Sequence, residues 1–183
     1  MNEVLSALLN RRSVRAYQSR QIEAEALEAI LKAGIYAPSA HNEQPWHFTV
    51  VQNRELLDRI NRETSEEMAK SANEWVRSLG QDPNFRVTYD APTVIFVSGR
   101  QDALDYRVGC AAAMENMLIA AHSLGIGSVW LGLLGFWLDR PGAAQILQIP
   151  EGYEPYYGAA CGYPAGQNPP APERRLDVIT RIL

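Results

Sequence analysis

The chain has 183 residues, 46% of them hydrophobic, which suits one globular domain with a core of its own and leaves little room for two. With 17 basic and 21 acidic residues the net charge is -4. The basic residues form no long run that would follow a nucleic-acid backbone, so we expect no nucleic-acid partner.

The N-terminal residues run straight into an amphipathic pattern, without the basic start, apolar run and cleavage site of a secretory signal. We therefore expect a cytoplasmic protein. The uncharged stretch from Met117 to Leu138 is long enough to span a bilayer. Its glycines would interrupt a helix, however, so we expect a buried helix, a turn and a strand there and no membrane partner.

Apolar residues at helical spacing predict a short helix over residues 3–10 and a second helix over residues 22–34, which Pro38 ends. The β-branched and aromatic residues 46–51 predict a strand. Residues 38–45 then join a helix to a strand. At such a junction a rigid scaffold presents backbone amides and small side chains to a ligand.

The middle of the chain alternates between long polar and strongly apolar segments. Residues 54–79 have a polar helical pattern, residues 80–89 resemble a loop, and residues 91–97 predict an apolar, central strand. Residues 105–124 predict a helix that is apolar on nearly all sides. In a chain of this size such a helix indicates burial at a subunit interface as well as in the core.

After this helix we predict a turn over residues 125–130, a short strand over residues 131–134 and a brief helix between Asp139 and Leu147. Residues 153–162 predict a fourth strand, whose tyrosines either line a cavity or simply pack on the sheet. Together the elements predict an α+β fold, with a central mixed or antiparallel sheet of about four or five strands flanked by helices.

The usual catalytic motifs are missing from the sequence. Gly125-x-Gly127 follows a predicted helix and lacks the third glycine of a dinucleotide-binding fingerprint. The three histidines lack metal-ligand spacing, and Cys110 and Cys161 suit reduced, buried thiols. We therefore assign no metal and no catalytic side chain, and the remaining possibility is a cofactor that carries the chemistry itself.

The segment Arg11-Arg12-Ser13-Val14-Arg15-Ala16-Tyr17 places three guanidinium groups and a hydroxyl at the exit of the first predicted helix. Arginine presents a rigid fork of donors that matches a phosphate, so the cluster indicates an anion site. The alternative is a solvent-facing helix end, because cations are favourable at a helix C-terminus in any case.

A second segment, Ala37-Pro38-Ser39-Ala40-His41-Asn42-Glu43-Gln44-Pro45-Trp46, strengthens the ligand hypothesis. Together the two segments resemble the FMN-dependent nitroreductase family, whose members carry Arg-Arg-Ser-x-Arg-x-aromatic and Pro-Ser-x-x-Asn-x-Gln-Pro-Trp motifs. Further matches are Ala91-Pro92, Asn116 through Gly127, Trp130-Leu131-Gly132, Gly162-Tyr163-Pro164 and Arg174-Arg175. The resemblance implies one nitroreductase-like FMN-binding domain over residues 1–183, assembled as an intertwined homodimer. Residues 164–183, Pro-rich at 166–172, would form a tail that wraps across the partner.

The resemblance also implies the cofactor site. The phosphate and ribityl chain of FMN would contact Arg11 and Ser13, with Arg12, Arg15 and either Arg174 or Arg175 beside them. Pro38, Ser39 and Ala40 would reach the flavin from the other subunit, together with Asn42 and Gln44 of the same segment. The backbone at Leu131 and Gly132 would pass near the isoalloxazine ring.

The function implied is that of an FMN-dependent oxidoreductase working by ping-pong transfer. NADH or NADPH would reduce the flavin, which would then reduce a small acceptor such as a nitroaromatic or a quinone. An acid or base side chain is not obligatory, because the flavin carries the electrons. The alternatives are a same-fold flavin enzyme that catalyses dehalogenation or dehydrogenation, and a non-catalytic flavin-binding protein.

Overall fold

A computed structural model describes residues 1–168 and 170–182. Pro169 and Leu183, which belong to the predicted tail, lie outside the described residues. The helices are α1 (Glu3–Asn10), α2 (Ala24–Ile35), α3 (Arg54–Met68), α4 (Glu74–Gln81), α5 (Tyr106–Ser123), α6 (Gly135–Leu138) and α7 (Ala143–Ile146). The strands are β1 (Trp46–Val51), β2 (Thr93–Arg100), β3 (Gly127–Trp130) and β4 (Tyr153–Gly162).

The four strands form one antiparallel sheet in the order β1-β2-β4-β3, so the predicted α+β fold is confirmed. Both faces of the sheet are covered by helices. Ile95 and Val97 pack with α2 and α5 on one face, whereas Val94 and Phe96 pack with α3, α6 and α7 on the other. Seven of the eight residues of β2 are therefore buried, as expected for a central apolar strand.

Helix α5 fits the expectation of burial on nearly all sides, since no side chain from Gly109 to His122 is exposed. Cys110 lies within it and Cys161 lies in β4, and both are buried and free of disulfides, as predicted. Burial raises the pKa of each thiol to about 12, so neither is a nucleophile at neutral pH. Among the helices of the described residues, none combines the length and the hydropathy that crossing a bilayer requires.

Two predictions were wrong in detail. The strand predicted at residues 131–134 lies earlier in the chain, as β3 at Gly127–Trp130, because pairing with β4 fixes its position. Residues 132–134 instead form a 3₁₀ turn followed by α6, which was not predicted. The single helix predicted over residues 54–79 is two helices, which are closely packed: a Cβ on Gly80 would lie 2.4 Å from the backbone nitrogen of Ala69.

Candidate functional site

The arginine segment, residues 11–17, is held in an extended conformation along the outer edge of β3. Ser13 forms a parallel bridge with Ser128, and the backbone N–H of Val14 donates to the Ser128 carbonyl at 3.0 Å. On the far side, Gln18 N–H donates to the Tyr163 carbonyl at 2.9 Å. The segment is thus held by backbone hydrogen bonds at both of its ends, which presents its side chains from a rigid base.

Gly127, considered above only as part of Gly125-x-Gly127 and as the end of a family match, permits this arrangement. A Cβ on Gly127 would lie 2.9 Å from Cβ of Val14, closer than side-chain atoms approach. Val14 is buried and serves as the anchor of the segment. The close approach therefore depends on the absence of a side chain at the first residue of β3.

The side chains of this segment converge on a cavity of about 440 Å³. Its lining consists of Arg11, Arg12, Ser13, Arg15, Pro170, Pro172 and Arg174. Arg174 thus joins the N-terminal arginines, whereas the Arg175 guanidinium binds the Asp177 carboxylate at 3.1 Å. The structure distinguishes two adjacent arginines that the sequence left equivalent.

The cavity is strongly electropositive. Arg11 lies 3.5 Å from the Glu115 carboxylate, but Arg12, Arg15 and Arg174 have no carboxylate within 4.0 Å in residues 1–168 and 170–182. The pKa of His122 is lowered, first by burial and then by the charges of Arg11 and Arg12. Arginines concentrated without matching carboxylates favour a bound anion.

Arg12 also binds the C-terminal end of α1, which is the role considered above as the alternative to anion binding. Its Nη1 donates to the carbonyl oxygen of Leu9 at 3.0 Å and to that of Arg11 at 2.6 Å. These carbonyls belong to the C-terminal turn of α1, whose last carbonyls lack partners within the helix. Arg12 therefore both closes α1 and lines the cavity. Arg15, whose guanidinium lies 5.9 Å from the centroid of the Tyr89 ring, and Arg174 have no role at the end of any described helix.

The second predicted segment has an unusual backbone. His41, Asn42 and Gln44 have φ angles of 48°, 56° and 47°, a left-handed conformation that residues other than glycine rarely adopt. The Ser39 hydroxyl accepts a hydrogen bond from Gln44 N–H at 3.0 Å and closes the turn. Backbone strain of this kind occurs preferentially at ligand sites.

This segment lies apart from the arginines of the same chain. Ser39 and Pro45 pack on Gly109 in the first turn of α5, since a Cβ there would lie 3.5 Å and 3.2 Å from them. Arg11 pairs with Glu115, six residues or about 9 Å further along the helix, and Arg11 and Arg12 also lie near His122, thirteen residues or about 20 Å along it. No residue of 38–44 lines the arginine cavity of the same subunit.

The predicted backbone contact at Leu131 and Gly132 lies closer to the arginines. Both residues follow β3 directly, and Leu131 is three residues beyond Ser128, about 10 Å along a strand. Gly132 is exposed, with open space where a Cβ would point. The arginine cavity and this open backbone thus lie along one edge of the sheet.

Metal ligation finds no support in the described part of the chain. No three His, Cys, Asp or Glu side chains of residues 1–168 and 170–182 are grouped so that they could hold an ion. The arrangement is suited instead to an elongated ligand, with an anionic end held by guanidinium groups and a second end near exposed backbone.

The nitroreductase family model matches residues 8–163. A crystal structure of a nitroreductase with bound FMN from Bacteroides fragilis is 39% identical and covers 100% of both chains, with a TM-score of 0.91. A provisionally named NADH dehydrogenase/NAD(P)H nitroreductase from Archaeoglobus fulgidus is 39% identical over 90% of this chain and 87% of its own length. An NAD(P)H-dependent FMN reductase from Bacillus subtilis is 25% identical over 98% of this chain and 73% of its own.

Proposed function

This chain belongs to the nitroreductase family, and from that membership we propose that it is a homodimeric FMN-dependent oxidoreductase. It uses NADH or NADPH as the reductant and a small electron acceptor, such as a nitroaromatic or a quinone, as the oxidant. The observation that carries the proposal is the cavity in which Arg12, Arg15 and Arg174 have no carboxylate partner in the described ranges.

The residues of the cavity fit the phosphate end of FMN. A phosphate monoester carries close to two negative charges near neutral pH, which several guanidinium groups can offset and one cannot. Arg11, Arg15 and Arg174 supply the charge, and the Ser13 hydroxyl adds a donor beside them. The exposed backbone at Gly132 would hold the other end of the cofactor.

When bound, FMN supplies reversible two-electron chemistry between a nicotinamide donor and the acceptor. The chain itself positions the cofactor and its two substrates in turn, which is the main catalytic task when a cofactor carries the electrons. The cluster around Arg11 adds positive charge, which favours negative charge developing nearby. The rigid base of the segment, from Ser13 to Gln18, keeps that charge in place.

Several features support a dimer with a site shared between subunits. The apolar residues of α1, among them Val4 and Leu9, are 65% and 61% exposed in the single chain. In the tail, Leu176 and Ile179 are 85% and 68% exposed. Apolar surface on this scale favours an interface. The separation between residues 38–44 and the arginines also favours a dimer, because a partner subunit would bring the two halves of the site together.

The first test is an absorbance spectrum of the purified protein, followed by anaerobic addition of NADH and then NADPH. Flavin bands that bleach with either donor and return with a quinone would establish the oxidoreductase. Flavin bands that persist with both donors would favour a non-catalytic flavin-binding protein. A protein that takes up no FMN even after incubation would contradict the proposal.

Arg174→Ala is expected to weaken FMN binding, whereas Arg175→Ala is expected to leave it nearly unchanged. Of these two arginines, Arg174 lines the cavity and Arg175 does not. Loss of a charge-assisted hydrogen bond costs about 1–3 kcal/mol, or roughly 5- to 150-fold in Kd. Arg175 is a matched control because it is adjacent and pairs with Asp177. Dissociation constants from flavin fluorescence measure both, and equal weakening in the two variants would exclude a specific role for Arg174.

A further inference from the structure

A β-bulge in β4 places two successive tyrosines on the same side of the sheet. Val97 of β2 pairs with Tyr157 and Ser98 pairs with Pro155, so Tyr156 is an extra residue without a partner in the ladder. Such bulges re-aim side chains, often beside active sites. Here the Tyr156 ring packs against Tyr106 of α5, with ring centroids 5.4 Å apart.

The aromatic pair lies in a slot that requires a glycine. A Cβ on Gly99 of β2 would lie 2.7 Å from the Tyr106 ring and 3.2 Å from the Tyr156 ring. The Arg107 guanidinium covers the outer side, 4.7 Å from the centroid of the Tyr156 ring. The two phenols are thus held in a fixed orientation by sheet, helix and cation.

Their hydroxyl groups form a line that ends at a carboxylate. Tyr156 donates to the Glu154 carboxylate, which can only accept when ionised, and the Tyr106 and Tyr156 hydroxyl oxygens lie 2.7 Å apart. Since Tyr156 has one proton, Tyr106 is the donor in the second bond. Burial, followed by these hydrogen bonds, raises the pKa of Tyr156, so the phenol stays protonated at neutral pH.

Tyr106, at the end of this line of hydroxyls, is also one of the residues that line a cavity of about 580 Å³, together with Glu43 and the rest of residues 102–108. Glu43 belongs to the segment proposed to face the flavin, and its carboxylate accepts from Leu104 N–H at 3.1 Å. Tyr106 is also one helical turn from Gly109, on which Ser39 of that segment packs. The cavity therefore adjoins the proposed flavin-facing surface.

The lining of the cavity favours a neutral ring. Leu104 and Val108 contribute exposed apolar surface, 54% and 69% accessible. Glu43 and Asp102 of the lining are paired with the Arg100 guanidinium, at 3.5 Å and 2.7 Å, and Asp105 offsets Arg107, so the lining has no excess of positive charge to attract an anionic acceptor. A neutral ring carbonyl gains apolar contact and presents an oxygen that needs a proton on reduction.

We propose that Tyr106 donates a proton to a neutral quinone-type acceptor bound in this cavity, with Tyr156 and Glu154 as the relay that restores it. The proposal rests on the oxidoreductase function, which supplies the hydride. In the step, a carbonyl carbon or oxygen of the quinone receives hydride, and the Tyr106 O–H bond breaks as an O–H bond forms on the acceptor. Tyr106 regains a proton when the Tyr156 hydroxyl turns from Glu154 to the Tyr106 oxygen, and Tyr156 regains one from a solvent proton that first protonates the Glu154 carboxylate.

The test compares Tyr106→Phe and Tyr156→Phe with Tyr153→Phe in the FMN-loaded protein. Tyr153 is the matched control, because it begins the same strand and packs on His47 rather than on the relay. Stopped-flow spectroscopy follows reoxidation of the NADH-reduced enzyme by a neutral quinone and by ferricyanide, which takes electrons without a proton. We expect reoxidation by quinone to slow by roughly 100-fold in Tyr106→Phe and roughly 10-fold in Tyr156→Phe.

Ferricyanide reoxidation and reduction by NADH are expected to keep their rates in both relay variants, and the solvent deuterium effect on quinone reduction should change. Equal slowing with ferricyanide, or an unchanged quinone rate in Tyr106→Phe, would overturn the proton-donor role. Failure of all variants and the parent to bind FMN or to be reduced by NADH would instead contradict the oxidoreductase function.

A second readout is independent of turnover. Chromone, a neutral ring carbonyl, is titrated without NADH or NADPH into oxidised FMN-loaded protein carrying ¹³C-ring-labelled tyrosine, so that no turnover occurs. We expect shifts in the signal that Tyr106→Phe removes, with the Tyr153 signal unmoved. Binding that leaves the Tyr106 signal in place would locate the acceptor elsewhere and overturn the proposal.

Discussion

Ser39→Trp is expected to abolish FMN retention while leaving the subunit folded. Ser39 is half-buried on an extended backbone, outside both hydrophobic cores, so an indole there does not disturb the sheet. If residues 38–44 face the flavin, the indole would occupy the space of the cofactor. Absorbance reports the flavin and thermal unfolding reports the fold, with Ser39→Ala as the control that removes only the bond to Gln44.

The same variant tests whether the site is shared between subunits. Arg11→Ala and Ser39→Trp homodimers would each lack a complete site. A heterodimer of the two would have one intact site, with Arg11 from one subunit and Ser39 from the other. Random mixing would therefore restore flavin to about a quarter of all sites. No restoration would mean that both residues act within one subunit, and a yellow Ser39→Trp protein would place the flavin elsewhere.

Strands with strong local preferences were predictable from sequence. The predicted bounds of residues 46–51 and 153–162 agree with β1 and β4, because β-branched and aromatic residues favour strands in any context. The third strand failed for the opposite reason. Gly127 and Ser128 have little strand preference, and their conformation comes from pairing with Gly162 and Cys161 across the sheet. Local pattern cannot reveal a strand that tertiary pairing creates.

The candidate site likewise has features that the sequence could predict and features that depend on tertiary structure. The arginine segment was recognisable because its residues are adjacent in sequence. The choice between Arg174 and Arg175 was not, since it depends on how the tail returns to the N-terminal segment. The sequence also left open whether the β4 tyrosines line a cavity or pack on the sheet, and only the fold separates these two roles. Tyr157 packs edge-on against Trp130 with centroids 4.7 Å apart, whereas a bulge directs Tyr156 to Tyr106. A register shift of one residue has no sequence signal here.

Trp137→Ala is expected to cause a large loss of stability, about 3–5 kcal/mol, because a fully buried indole leaves a cavity that its surroundings fill only in part. The centroids of the Trp137 and Phe96 rings lie 6.2 Å apart, and the indole N–H donates to the Glu63 carboxylate at 2.9 Å. It therefore joins α6 to both β2 and α3. For a chain of this length, the loss corresponds to a fall in Tm of roughly 6–20 °C.

The matched control is Trp75→Ala, since Trp75 is 61% exposed on α4 and its removal should shift the free energy of unfolding by less than about 0.5 kcal/mol. Trp137→Phe separates packing from the hydrogen bond, because it keeps a ring and removes only the N–H donor. Measurements at one protein concentration avoid the shift that dimerisation adds. Because α6 begins three residues after Gly132, loosening it should also release FMN at temperatures below global unfolding. A Trp137→Ala protein as stable as Trp75→Ala would mean that α6 contributes little to the core beside the proposed flavin site.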